Sequence, residues 1–395
     1  MNLLWVVLLP LIGTLVPLLT ERFGRNICAF SVAILPAWSL ILVLMYAGDI
    51  VDGQSLRQSI EWIPAMGLEL SFRLDGLSLL FLLLILGIGL LIILYARYYL
   101  SAKDSMGKFY AYLILFMTAM VGIVISNNLI QLWMFWELTS ISSFLLISFW
   151  SHNSDARKGA RMALTVTGTG GLALLAGLLM MGNIVGSYDL DTIIASGDLI
   201  RTHATYPIVL VLVLLGAFTK SAQFPFHFWL PHAMAAPTPV SAYLHSATMV
   251  KAGIFLMARF YPVLAGTDLW FMIVSLTGLI TLLLGAYIAL FKHDLKGLLA
   301  YSTISHLGLI TLLLGLNSDL AAVAAIFHII NHATFKASLF MAAGIIDHET
   351  GSRDMRKLNG LMKYMPHTAT LAIVAALSMA GVPLLNGFLS KEMFF

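Results

Sequence analysis

The sequence predicts an all-α, polytopic membrane protein that contains inverted repeats and two broken helices. Of the 395 residues, 60% are hydrophobic and only 10% are charged, which gives more apolar surface than a soluble domain can bury. Apolar runs of about twenty residues, the length that crosses a bilayer as a helix, recur along the chain. Basic residues concentrate in alternate connecting loops, as they do in multi-spanning membrane proteins.

Twelve apolar runs are predicted to cross the bilayer. They lie near residues 2–19, 27–48, 76–96, 109–126, 128–150, 162–183, 205–234, 239–258, 269–291, 297–316, 320–346 and 366–395. The first run has neither a basic segment before it nor a small-residue cleavage site after it. We therefore expect it to be kept as a membrane span and not removed as a signal peptide.

The distribution of lysine and arginine predicts which side of the membrane each loop faces. Fourteen basic residues lie in loops one, three, five, nine and eleven, among them Lys292 and Lys296, whereas the remaining loops hold four. Basic loops stay on the cytoplasmic side of a membrane. The sequence therefore predicts an N-terminus on the outside.

A few charged residues fall inside the predicted spans. A charge at mid-membrane costs roughly 3 kcal/mol on insertion scales, so such residues usually face a wet cavity or a partner. Lys251 and Lys391 could instead extend to the membrane surface, but the short side chain of Glu137 cannot. The candidates for ion movement are Glu137, Lys220, Lys251, Lys336 and Lys391, with Glu392 beside the last.

Spans seven and twelve are predicted to be broken helices. Pro225 and Pro231 interrupt the first of them and Pro383 the second, because proline removes a helical hydrogen bond and clashes with the preceding turn. Matching pentads stand beside the breaks, Gly-Ala-Phe-Thr-Lys at 216–220 and Gly-Phe-Leu-Ser-Lys at 387–391. Their spans enter the membrane from opposite sides, which indicates an inverted repeat with a transport site near the midplane. Alternatively, the prolines only bend helices for packing.

Ionisable residues recur every four positions in span eleven. At this spacing His328, His332 and Lys336 share one face of a helix. Histidine can donate at one ring nitrogen while it accepts at the other, so the stripe suits proton hopping. His245 and Lys251 in span eight are candidates for its extension. The 171-residue separation of the pentads carries Glu137 to within two residues of His306 in span ten, so the second half could use a histidine where the first uses a carboxylate. Taken singly, each histidine could equally form a hydrogen bond that only joins two helices.

Several other functions lack support in the sequence. The single cysteine, Cys28, excludes an internal disulfide, a Cys-ligated zinc site and Cys-bound iron–sulfur clusters. His328 and His332 have the spacing of a zinc-binding helix, but Ile329 stands where that motif needs a glutamate. The run Gly-Thr-Gly-Gly at 168–171 follows no strand, unlike a dinucleotide site. We therefore expect no cofactor, and the scattered basic residues favour no nucleic-acid partner.

Three motifs resemble those of the A-subunit of Mrp-type multisubunit sodium/proton antiporters. They are LWMFWELTSISS at 132–143, WLPHAMAAPTPVSA at 229–242 and DHETGSRD at 347–354. The resemblance covers the whole chain, and the A-subunit is itself similar to the large antiporter-like subunit of respiratory complex I. It implies two inverted five-helix repeats with further helices beyond them.

The resemblance also implies a function and a set of working residues. The chain would be a proton-translocating subunit of a Na⁺/H⁺ antiporter in a bacterial cell membrane, a secondary transporter and not an enzyme. Its expected partners are the other subunits of a hetero-oligomeric complex, the lipid bilayer, and H⁺ and Na⁺ as transported ions. Glu137 would pair with Lys220, and protons would follow a line of side chains through Lys251, His328, His332, Lys336 and Lys391. A lone buried charge is costly, so we also expect the pair to act as a switch that releases the lysine's proton when it breaks.

The spans and the resemblance together predict three parts of the chain. These are an N-terminal three-span segment with an outer loop at 1–108, a first repeat at 109–260 and a second repeat at 261–395. The subunits that the chain resembles continue well past this length, and span twelve stops just after Lys391. We therefore expect the natural chain to extend beyond Phe395.

Two other classes of function stay open at this point. One is a proton-pumping membrane subunit of a complex I-like NADH:quinone oxidoreductase, which would use the same polar residues. The other is a structural anchor, which has no use for four lysines inside its spans. The motif around Glu137 and the run Thr-Met-Val-Lys-Ala-Gly at 248–253 favour the antiporter.

Overall fold

A computed structural model describes residues 3–63 and 68–394 and confirms the all-α, polytopic class. In that part of the chain, nine helical stretches are long and apolar enough to cross a bilayer. They are Leu4–Phe23, Arg25–Leu44, Gly76–Tyr99, Met106–Ile125, Leu129–Ile147, Ser154–Val185, Asp268–Leu290, Leu295–Gly315 and Asp319–Thr350. Two shorter apolar helices, Tyr206–Lys220 and Pro366–Ala380, fall in predicted spans seven and twelve.

The described residues contain 22 α-helices, and polar side chains cap several of them. In chain order they are α1 Leu4–Gly13, α2 Val16–Thr20, α3 Arg25–Leu44, α4 Ala47–Val51, α5 Gly76–Leu82, α6 Gly89–Tyr99, α7 Met106–Ile125, α8 Leu129–Ile147, α9 Ser154–Val185, α10 Leu190–Ala195, α11 Gly197–Thr202, α12 Tyr206–Lys220, α13 Trp229–His232, α14 Thr238–Ser246, α15 Met249–Arg259, α16 Tyr261–Leu264, α17 Asp268–Leu290, α18 Leu295–Gly315, α19 Asp319–Thr350, α20 Leu361–Tyr364, α21 Pro366–Ala380 and α22 Asn386–Glu392. A π-helical turn, Leu83–Ile88, joins α5 to α6.

Five side chains act as helix caps. Each accepts a hydrogen bond from a backbone amide in the first turn of the helix that follows it, which satisfies an otherwise unpaired donor. The five residues are Asp75, Ser105, Asp189, Thr267 and Asp294.

A β-hairpin is a regular element that the sequence analysis did not predict. Its strands, β1 Leu56–Ile63 and β2 Leu68–Leu74, pair in antiparallel fashion. Each strand has an arginine that forms an ion pair with Asp191. Arg57 Nε lies 2.8 Å and Arg73 Nη1 lies 2.6 Å from a carboxylate oxygen of Asp191. The hairpin is therefore fastened to α10 by ion pairs.

Spans seven and twelve are broken, as predicted, but the helices end before the prolines. Helix α12 ends at Lys220, ahead of Pro225, and Ala222 then takes a left-handed φ of 49°. Helix α21 ends just before Gly381, where φ is 82°, and Leu384 follows with a φ of 76°. A residue in the left-handed region stops an α-helix. Ala222 and Gly381 therefore end their helices ahead of Pro225 and Pro383.

The described residues form two compact units by their contacts. The first takes in residues 1–146, 167–216 and 262–264, and the second residues 147–166, 217–261 and 265–395. In the first unit, Ser39 Oγ donates to the Val6 carbonyl and joins α3 to α1, and Tyr110 donates to the Ile93 carbonyl and joins α7 to α6. Such contacts do not test internal repeats, so the repeat boundaries after residues 108 and 260 stay a prediction.

In the second unit, α17 and α18 pack backbone to backbone. A Cβ atom added to Gly278 would lie 2.4 Å from the Leu312 nitrogen, and one added to Gly308 would lie 2.4 Å from the Leu282 nitrogen. Small residues permit this close approach between membrane helices. Helix α19 in turn contacts α14, α18, α21 and α22, so side chains from several helices can meet around it.

Lys296 does not lie in a loop, where the sequence analysis counted it as a topology signal. It stands in the first turn of α18, is 2% exposed, and donates to the Ala236 carbonyl at 3.0 Å. The physical reason is the cap: the Asp294 carboxylate accepts from the Gly297 amide at 2.8 Å. The helix therefore begins two residues earlier than the apolar run and takes Lys296 into the protein.

Candidate functional site

Helix α19 brings three of the predicted site residues together in the second unit. His328 is 1% exposed, and His332 and Lys336 are 0% exposed. Residues four apart lie one above the other on a helix, so the three side chains follow one side of α19. Their neighbours come from α18, α21 and α22.

Two histidines and a serine form a continuous hydrogen-bonded chain. His306 Nδ1 lies 3.0 Å from His328 Nε2, and His328 Nδ1 lies 3.0 Å from Ser390 Oγ. Ser390 gives its own hydrogen to the Gly387 carbonyl at 3.1 Å, so it accepts from His328 Nδ1. A neutral His328 then accepts at Nε2, and His306 Nδ1 is the donor. A chain with one direction throughout can pass a proton by exchange along its bonds.

Two further histidines have no hydrogen-bond partner for either ring nitrogen among residues 3–63 and 68–394. They are His332, whose ring centroid lies 5.3 Å from that of His306, and His245, which lies between Trp229 and Phe340 at 6.3 Å and 6.2 Å. Both are fully buried. Burying an unsatisfied imidazole destabilises a protein.

Uncharged groups hold the two buried lysines nearest this cluster. Lys251 Nζ donates to the Ile329 carbonyl at 2.9 Å, and Lys336 Nζ donates to Ser302 Oγ at 2.8 Å and contacts Met379 Sδ at 3.4 Å. Both lysines are 0% exposed. An ammonium held by neutral groups gains no ion-pair energy against its desolvation. Such lysines are suited to give up and retake a proton.

Lys391 lies at the second break, in α22. Its Nζ donates to the Ala380 carbonyl at 2.9 Å, at the C-terminal end of α21 where exposed carbonyls attract cations. Gly381 leaves room for the Lys391 side chain, since a Cβ there would lie 2.5 Å from Lys391 Cδ.

Lys220 lies before the first break, as the last residue of α12, and is 0% exposed. The two matching pentads thus lie on opposite sides of their breaks.

Glu137 lies on α8 in the first unit, against a glycine of α9. A Cβ atom added to Gly171 would stand 1.6 Å from Glu137 Oε1. Trp133, one turn earlier on α8, donates from Nε1 to the Gly171 carbonyl at 2.9 Å. Gly171 therefore makes the space in which the carboxylate sits. Glu137 and Lys220 belong to different compact units, and their pairing stays a prediction.

The sequence analysis did not predict the residues that contact the ionisable side chains of the candidate site. Ser302, Ser390 and Gly171 each contact a predicted site residue. Ser390 carried a signal, since it belongs to the second pentad, whereas Ser302 carried none. Among the described residues, no group of three His, Cys, Asp or Glu side chains is placed to hold a metal ion.

Comparison with known proteins gives the chain a family. Residues 126–395 match the model described as "NADH:quinone oxidoreductase/Mrp antiporter, TM", and residues 62–110 match "NADH-Ubiquinone oxidoreductase (complex I), chain 5 N-terminus". A probable K⁺/H⁺ antiporter A/B-subunit of Rhizobium meliloti (strain 1021) is 64% identical over 98% of this chain and 39% of that protein. The Na⁺/H⁺ antiporter A-subunit of Alkalihalophilus pseudofirmus is 51% identical over 99% of this chain and 51% of its own length.

Solved structures agree with these matches. The Mrp complex from Dietzia sp. DQ12-45-1b contains a chain that superposes with a TM-score of 0.92 at 40% identity, over 99% of this chain and 42% of that one. A chain of an archaeal membrane-bound sulfane sulfur reductase shares the fold, with a TM-score of 0.89 at 24% identity over 99% of this chain and 81% of that one. The chain spans about half or less of the length of these curated relatives. The resemblance to the antiporter A-subunit is confirmed, and the chain belongs to the NADH:quinone oxidoreductase/Mrp antiporter family of membrane proteins.

Proposed function

We propose that this chain is the proton-translocating part of a subunit of a monovalent cation/proton antiporter. Protons move through the membrane by exchange between buried lysines and histidines, and a carboxylate in the first unit controls the first lysine. The residues that take part are Glu137, Lys220, Lys251, His245, His306, His328, His332, Lys336 and Lys391.

The observation that carries the proposal is the bond from His306 to His328 and on to Ser390, with both contacts at 3.0 Å. A role in packing alone would not require these bonds to run in one direction. A chain with a single direction, and with a buried lysine one turn beyond His332 on the same helix, is instead what proton transfer requires.

The relatives support the remaining parts of the proposal. Their names describe antiporter subunits for Na⁺ or K⁺, so the chain is proposed to serve transport and not to be an enzyme. Its partners are the other subunits of an Mrp-type complex, with H⁺ and Na⁺ as the transported ions. The bacterial relatives support a bacterial cell membrane as its location, and the distribution of basic loops supports an N-terminus on the outside.

The runner-up is a redox-driven proton pump, because the matching family model also covers subunits of NADH:quinone oxidoreductase. The same polar residues would serve it. The identity of 51–64% to proteins named as antiporter subunits favours antiport. The subunits that co-purify with the full-length protein distinguish the two.

His332→Ala tests whether the histidine cluster moves protons or only packs helices. In everted vesicles that contain the complete assembly, we expect sodium-driven proton movement per copy to fall roughly tenfold or more, because a proton-transfer group is lost. The abundance of the complex should stay near normal. His348→Ala, at an exposed histidine, is the matched control and should change neither. Normal flux per copy with a loss of the complex would assign His332 to packing.

Gly171→Ala tests the placement of Glu137. The added methyl group would occupy the position of the carboxylate oxygen, so the side chain must move and proton movement should fall roughly tenfold or more. Gly168→Ala is the control on the same helix, because a Cβ there meets nothing within 4 Å. Equal activity of the two variants would contradict a requirement for this position of Glu137.

A further inference from the structure

A groove in the first unit shares no residue with the proposed proton path. It lies between α3 and α6 and has a volume of about 520 Å³. Its walls are apolar and come from residues such as Ile27, Phe30, Ala33 and Leu94. Phe30 is 76% exposed and Leu94 59% exposed. In a membrane-spanning segment, these surfaces face the acyl chains of lipids or another protein.

One end of the groove is polar and positively charged. Arg97 Nε donates to Asn26 Oδ1 at 2.5 Å, and the guanidinium carbon lies 5.3 Å from the ring centroid of Tyr98. The two terminal NH₂ groups of Arg97 have no hydrogen-bond partner among residues 3–63 and 68–394 and are free to bind an anion. Arg25, at the start of α3, is already engaged by the carbonyls of Arg97 and Leu100.

The surroundings of this end favour an anionic ligand at the membrane surface. Residues 21–26 and 97–108, the segments that contribute Asn26, Arg97 and Tyr98 to the groove, contain five basic side chains and two acidic ones. Tyr98 is 73% exposed, and exposed tyrosines are enriched at the level of lipid headgroups. Basic pockets between membrane helices on the cytoplasmic side bind anionic headgroups, and arginine binds phosphate in a bidentate manner.

We propose that this groove is a binding site for an anionic phospholipid. One acyl chain lies along Ile27, Phe30 and Leu94, and the phosphate accepts hydrogen bonds from the terminal NH₂ groups of Arg97. The apolar walls would also accept a transmembrane helix of another subunit. The unpartnered arginine amino groups at the membrane surface favour the lipid, because an apolar helix offers them no acceptor.

Photolabelling of the complete assembly in phosphatidylcholine vesicles tests the site. One sample contains a trace of a phosphatidylglycerol analogue with a photoactivatable group on its acyl chain, and the other contains the matched phosphatidylcholine analogue. The variants are Arg97→Gln, Ala33→Leu and, as a control, Arg161→Gln at an exposed arginine of α9. Labelled peptides are identified by mass spectrometry, and sodium-driven proton movement is recorded on the same vesicles as a separate readout.

We expect peptides of α3 and α6 to take about fivefold more label from the phosphatidylglycerol analogue than from the phosphatidylcholine analogue. Arg97→Gln should remove this preference, Ala33→Leu should lower labelling by both analogues because it fills the groove, and Arg161→Gln should leave the wild-type pattern. Equal labelling by the two analogues in the wild type, or a preference that survives Arg97→Gln, would overturn the proposal. So would the absence of label on α3 and α6 from either analogue in the wild type, which is the result expected if a helix of another subunit covers the groove.

Discussion

Glu137→Gln and Lys220→Met are each expected to abolish sodium-driven proton movement, and the double variant is expected to stay inactive. Both substitutions keep the size of the side chain and remove its charge. If the two residues form the proposed switch, each single change leaves one charge buried without its partner, which destabilises the protein by about 3–5 kcal/mol. The abundance of the complex should therefore fall in each single variant.

The double variant separates transport from stability. It buries no charge at either position, so the abundance of the complex should recover towards that of the wild type. Proton movement should not recover, because it requires a lysine that can lose and regain a proton. Flux and abundance of the complete assembly in everted vesicles are the two measurements, with Lys357→Met at an exposed lysine as the control. Recovery of flux in the double variant, or near-normal flux in Lys220→Met, would contradict the switch.

Most of the membrane spans could be predicted because each span depends only on its own stretch of sequence. An apolar run of about twenty residues needs no information from elsewhere in the chain to cross a bilayer. The breaks were placed imperfectly. Span eight is interrupted between Ser246 and Met249, where Thr248 has φ −127° and ψ −97° and donates to the Tyr243 carbonyl at 2.7 Å. No glycine or proline stands at this point, so local sequence rules give no sign of it.

The hairpin and Lys296 show a second limit. The strands at 56–63 and 68–74 form ion pairs with Asp191, more than a hundred residues away along the chain, so the sequence near the strands does not show these contacts. Lys296 was assigned to a loop because the apolar run begins at residue 297, and a count of basic residues cannot distinguish a solvated lysine from one inside the first turn of a helix. The Asp294 cap decides that difference.

The charged members of the candidate site could be predicted, but their supports could not. A lysine, histidine or glutamate stands out in an apolar span, because burying its charge in a membrane costs free energy. Ser302, which accepts the hydrogen bond from Lys336 Nζ, is an ordinary serine in the sequence. Gly171 was considered only as part of a nucleotide motif and discounted, whereas its role depends on the approach of α9 to Glu137. Such contacts between distant residues become visible only in three dimensions.

Lys336 is the most direct place to test proton transfer along α19. Lys336→Met keeps an unbranched side chain of similar length in a fully buried site, so packing should change little. We expect sodium-driven proton movement to fall about 100-fold or more, because a proton-transfer group is removed. Lys336→Arg should be equally inactive, since arginine keeps its charge and does not release a proton. A purely electrostatic role for Lys336 would instead be rescued by arginine.

The measurement is the initial rate of sodium-driven proton movement in everted vesicles, divided by the amount of complete assembly, for the wild type, Lys336→Met, Lys336→Arg and the control Lys357→Met. The proposed proton path predicts normal abundance in all four samples, with flux lost in both Lys336 variants and kept in the control. Near-normal flux per copy in Lys336→Met, or restored flux in Lys336→Arg, would contradict proton transfer through Lys336 and with it the path along α19.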